Sequence, residues 1–155
     1  MPLEGMPRLQ KPGEGNELSP GVKSLSEEIG LKMKRPSFIA CSRPALEAAE
    51  YAKEKGKFDQ FHLAVFKAYW EEGKNIGERS ILCEIAEKCG LPGNEMERCL
   101  DEGRYRERIE RQNEEAVAMG ITGIPAYIIG DHLIVGAQPY RVFQQAVKVQ
   151  KQDRR

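Results

Sequence analysis

The chain has 155 residues with 24 basic and 24 acidic side chains, so no net field draws it toward nucleic acid or a charged membrane surface. A hydrophobic share of 40% beside 31% charged residues is that of a globular chain able to bury one core. No apolar run approaches the roughly 20 residues that span a bilayer, and the first residues lack a basic segment followed by an apolar one. Together these exclude a nucleic-acid or membrane partner and point to the cytoplasm.

Residues 1–22 hold four prolines and four glycines among few apolar side chains, which predicts an extended or loop-like stretch. A short helix is expected over 24–29, stopped by Gly30. The next helix takes Ser42 as N-cap and Pro44 just inside its start, carries Leu46, Ala48, Ala49 and Ala52, and ends at Gly56. A helix over 58–72 follows, with Phe61, Ala64, Val65, Ala68 and Tyr69 at helical spacing and Gly73 as its stop. Ile81, Leu82, Ile85 and Ala86 mark a helix over 78–89, and a brief one over 94–100 leads into a longer one over 104–119. That last helix interleaves Arg104, Arg106, Glu107, Arg108, Glu110, Arg111, Glu114 and Glu115, the pattern of a solvated face with opposite charges three or four apart.

After Gly120 the period changes. Residues 126–129 and 133–137 are apolar or β-branched runs separated by Gly130-Asp131, a hairpin signal. Pro139 suits the first turn of a final helix carrying Val142, Phe143, Ala146 and Val147, and the charged tail 148–155 is expected to fray. The expected organisation is a loop-plus-helix segment 1–35, a helical subdomain 36–119, a β-β-α segment 120–150 and a tail 151–155.

Cys41, Cys83, Cys89 and Cys99 form no Cys-x-x-Cys pair and have no histidine at zinc-ligand spacing, so they read as reduced thiols with no metal site and no cofactor implied. Cys83 and Cys89 are expected to be packing residues. Cys41 precedes a helix N-terminus and lies near Arg43, the setting in which a thiol can be activated, which makes it the one candidate catalytic residue. His62 and His132 have no nucleophile partner in the sequence and read as structural.

The segments Ala45-Leu-Glu-Ala-Ala-Glu-Tyr-Ala52, Phe61-His-Leu-Ala-Val-Phe-Lys-Ala68, Gly123-Ile-Pro125 and Gly136-Ala-Gln-Pro139 resemble the DsbA-like thioredoxin superfamily, specifically its FrnE-type branch, over residues 36–149. The resemblance implies an α/β thioredoxin-like fold of the DsbA type with a large helical insertion, predominantly helical and ending in a β-hairpin and helix. It implies that the loop-like first 22 residues correspond to the stretch after the second strand. The β-α-β unit that carries Cys-x-x-Cys in the family has no counterpart in this sequence, so a truncated or incomplete form is expected. It also implies a cis bond before Pro125 and a substrate platform at Gly123, Ile124 and Pro125, where the main chain of Ile124 pairs with an extended thiol or disulfide peptide. By the same comparison Cys41 falls at the entrance to the helical insertion and not on the redox strand.

Three readings follow: a thiol–disulfide oxidoreductase without its redox segment, a non-catalytic peptide-binding module, and a relative of the kappa-class glutathione transferases and 2-hydroxychromene-2-carboxylate isomerases. A hairpin without further strands also predicts self-association, as in a homodimer.

Overall fold

The computed structural model describes residues 6–7 and 17–153, so most of the stretch 1–22 and the end of the tail lie outside the described residues. Two compact units make up the chain, Met1–Ile109 and Glu110–Arg155.

In the first unit, β1 (Met6–Pro7) pairs antiparallel with β2 (Phe38–Ile39), Met6 opposite Ile39. The sequence reading placed no strand here. The pairing is two residues long, too short to leave a periodic signal. Helix α1 spans Pro20–Glu28 and starts four residues earlier than expected, because Pro20 occupies the first helical turn, where its missing N–H costs nothing.

The core is built by α2 (Arg43–Glu54), α3 (Phe58–Trp70), α4 (Arg79–Lys88) and α5 (Gly93–Asp101). Helix α2 buries Ala45, Ala48, Tyr51 and Ala52, a spacing of three and four that makes one apolar stripe, with alanines small enough to admit the neighbouring helices closely. Tyr51, Phe61, Leu82, Met96 and Cys99 fill the centre. At the end of α4, Gly90 takes φ +74°, and its N–H and that of Leu91 return to the carbonyls of Glu87 and Ala86. This closure places the next apolar residue, buried Leu91, against the helix it has just left.

The expected side-chain cap at Ser42 does not form. A cap bonds the N–H of the second or third helical residue, the second here is Pro44 and has none, and Ser42 itself already has helical φ and ψ. Polar groups at the core edge are matched instead by long-range pairs. Tyr51 donates to Glu95 (2.9 Å), Tyr105 donates to Glu54 (2.8 Å), and Arg108 holds the nearly buried Glu50 carboxylate at 3.0 Å. Among the described residues no buried side-chain polar atom is left without a partner.

Helix α6, Arg106–Ala118, follows and contributes residues to both units. In the second unit β3 (Ala126–Ile129) and β4 (His132–Val135) form an antiparallel hairpin with Ile129 opposite His132. Gly130 at φ +59° is the first of its two turn residues, the position where a II′ turn calls for glycine. Helix α7 runs over Tyr140–Asp153, past Lys148 and into the charged tail. Its amphipathic pattern continues past that point, and Phe143 meets Tyr127 of β3 edge-on at 4.9 Å.

Candidate functional site

The loop that the sequence singled out sits at the open end of the hairpin. The Ile124–Pro125 peptide bond is cis. Pro125 leads directly into β3, and its carbonyl accepts a 2.7 Å hydrogen bond from the N–H of Gly136, just past the end of β4. Gln138 adds a side-chain bond to the Val135 carbonyl at 3.0 Å. The two motifs Gly123-Ile-Pro125 and Gly136-Ala-Gln-Pro139 therefore meet across the mouth of the hairpin, although ten residues separate them in the chain. Gly123 lies beside Val135, where a Cβ would meet the Val135 side chain at an ordinary contact distance of 3.5 Å.

Ile124 is the most exposed large apolar residue described, with 90% of its surface open to solvent. Its main-chain N–H and C=O have no partner among the described residues. Such a residue, in the bend two positions before β3, offers one donor and one acceptor together with an apolar side chain.

The cysteines are all free. Cys89 and Cys99 are buried in the core and Cys83 packs against it. Burial pushes all three thiols above their ordinary range, so none is set up as a thiolate. Cys41, also buried, lies outside that core cluster and lines a cavity of about 680 Å³ in the first unit, beside Arg43, Glu47, Arg79 and Arg106. Cys41 thus belongs to one unit and Gly123–Pro125 to the other. Sequence reading missed the cavity. Its arginines come from three helices, and the only local trace is that each of those helices begins with arginine.

His62 stands on the exposed side of α3, with its ring centroid 5.0 Å from that of Phe58 and 4.8 Å from that of Phe66. His132 is exposed on β4. Among the described residues no group of three or more His, Cys, Asp or Glu could hold a metal ion.

The model of the DSBA-like thioredoxin domain matches residues 1–148. The chain belongs to the DsbA-like thioredoxin family. Among curated proteins, this DsbA-like chain is similar to the uncharacterized protein YwbO of Bacillus subtilis (strain 168), at 29% identity over 163 residues that cover 94% of this chain and 80% of YwbO. Among solved structures it is similar to the probable DsbA oxidoreductase SCO1869 from Streptomyces coelicolor, with a TM-score of 0.77 over 87% of this chain. At 22% identity that likeness shows a shared DsbA-type fold, and the chain spans 59% of the length of that structure. No helix among the described residues is long and apolar enough to cross a membrane.

Proposed function

We propose that this DsbA-like chain acts in thiol–disulfide exchange as a substrate-docking element, binding an extended cysteine-containing peptide along Gly123, Ile124 and Pro125. The observation that carries the reading is Ile124, which combines near-complete exposure with an unpaired main-chain donor and acceptor at the start of the hairpin. An incoming strand gains main-chain hydrogen bonds there, and the isoleucine side chain adds apolar contact. Family membership supplies the chemistry of the ligand. On this reading residues 120–150 form the docking half of the thioredoxin fold, residues 36–119 are the helical insertion of the FrnE-type branch, and the setting is the reducing cytoplasm, in keeping with four free thiols.

On this reading Cys83, Cys89 and Cys99 do not carry the exchange. Disulfide exchange needs a thiolate that attacks one sulfur while the other leaves, and the raised thiols of Cys83, Cys89 and Cys99 disfavour that species. The docking reading needs no turnover through Cys41, which belongs to the first unit. Titrating an unstructured cysteine peptide into labelled protein should shift the amide signals of residues 123–129 and leave those of α4 in place. An insulin-disulfide reduction assay complements it: wild type and Cys41→Ser should both stay at background, and turnover lost in Cys41→Ser would show that the chain catalyses through that thiol.

The hairpin also exposes Ile128, Leu133 and Val135. A two-stranded sheet with such a surface, to which no further strand is paired among the described residues, favours pairing with a second copy, which supports the homodimer reading. Light scattering that gives a monomer at all concentrations would contradict it.

A further inference from the structure

Helix α3 carries an aromatic stripe that neither the core nor the docking loop uses. Phe58, His62 and Phe66 recur every fourth residue, and their rings form a ladder on the solvent side, with successive centroids 5.0 Å and 4.8 Å apart. Leu63 stands beside His62. Leu63 and Phe66 leave 56% and 51% of their surface open, although the same helix buries Phe61, Val65 and Ala68 on its other side. Large apolar side chains gathered in one stripe and rimmed by charge mark a contact surface. The rim here is Asp59 and Lys67. Each follows the ring at one end of the ladder, so at about 100° per residue both lie on the same flank. Neither has an ion pair among the described residues.

The stripe complements itself when its direction is reversed. Turned end for end about His62, Phe58 takes the place of Phe66, and Asp59 comes within one residue of the place of Lys67. A patch that meets its own copy across a two-fold axis needs this property, because whatever one half offers the other half must accept. Rows of side chains four apart also interlock with one another at about −50°, the commonest class of helix packing. We propose that the exposed face of α3 docks onto the same face of a second copy, with the two helices running in opposite directions and His62 near the two-fold axis. Phe58 of each copy then lies against Phe66 of the other. Asp59 of each reaches Lys67 of the other, which makes two ion pairs from four side chains that have none within one chain. Opposed directions also set the N-terminal half of one helix beside the C-terminal half of the other, so that the helix dipoles attract. A helix of 13 residues is about 20 Å long, which places this contact at the small end of protein interfaces. The pairing is therefore weak and dependent on concentration. It lies in the first unit, whereas the hairpin and Ile124 belong to the second.

Sedimentation equilibrium of the full chain at low ionic strength tests the interface through its charges. Wild type should associate reversibly as its concentration rises. Asp59→Lys alone and Lys67→Asp alone each turn both ion pairs into repulsions, and each should weaken association about tenfold with the circular dichroism unchanged. An equimolar mixture of the two variants should recover it, because each copy then offers the other an opposite charge at both contacts. A second reading leaves these charges in place. His62→Cys, near the two-fold axis, should be joined to its own copy by diamide, which takes up the two electrons and two protons released as two thiols form one disulfide. Gln60→Cys, turned away from the ladder, should not be joined. A wild type that stays monomeric up to its solubility limit, association unmoved by either reversal, a mixture no stronger than its components, or no cross-link at His62→Cys would overturn the proposal. Association unmoved by the reversals is the result that pairing through the hairpin alone would give, so the two interfaces are told apart. None of these outcomes bears on peptide docking at Ile124.

Discussion

Tyr51 shows how single side chains set the stability of the helical core. Its ring is buried at the centre of α2, and its hydroxyl donates to Glu95, which also pairs with Lys55 at 2.9 Å. Tyr51→Phe keeps the ring and deletes the bond, so it should cost about 1 kcal/mol by urea denaturation. The same cluster sets a pH dependence. Hydrogen bonds from Lys55 and then Tyr51 hold the Glu95 carboxyl below its ordinary value of 4.5, and Lys74 does the same for Glu72. A carboxyl whose pKa is lower in the folded state stabilises the fold only when ionised. Its contribution is therefore complete above 4.5 and is lost as pH falls through the lowered value. The urea midpoint should drop over that acid range, and Lys55→Met should make the drop shallower. The core thiols give a third readout: Cys83, Cys89 and Cys99 should react slowly with Ellman's reagent in the folded chain and promptly once it is unfolded. Rapid reaction of all three in the native state would contradict their raised pKa values.

Among the elements, the hairpin turn rests on one glycine. Gly130 has positive φ, and a Cβ built there would run into the side-chain amide of Gln150 on α7. Gly130→Ala should thus lose about 1 kcal/mol from the backbone conformation alone, seen as a lower melting temperature. Pairing it with Gln150→Ala should recover only the part due to the clash. Much of this element level was legible in the sequence. The run 126–129 is β3 to the residue, because β-branched and aromatic side chains end at a Gly-Asp turn. The second strand is shifted, starting at His132 and ending at Val135: the two-residue turn sets His132 opposite Ile129, and Gly136 turns away to bond Pro125. Helices α2 to α4 announce themselves by apolar spacing and glycine stops. The pairing of β1 with β2 and the arginine cavity were not legible, since both depend on residues far apart in the chain that carry no periodic pattern.

At the scale of the whole molecule the two units differ in how much they bury. The first holds the core around Tyr51, Phe61, Leu82, Met96 and Cys99, whereas Ala146 is the one buried side chain among the described residues of the second. Hydrogen exchange should therefore be slowest in α2, α4 and α5 and fastest around β3 and β4, with the hairpin opening well below the global unfolding free energy. Equal protection across both units would contradict that division. A loosely buried hairpin, to which no further strand is paired among the described residues, is also the kind of surface that gains most from an added strand, which links the energetics of the second unit to the docking role. The most direct test of that role is the fluorescence anisotropy of a labelled, unstructured cysteine peptide titrated with wild type and with Ile124→Asp, which sets a charge where the peptide chain would lie. Saturable binding by wild type, weakened at least tenfold in Ile124→Asp with the circular dichroism unchanged, is the predicted result. Equal affinity in the two proteins, or no binding by wild type, would contradict it.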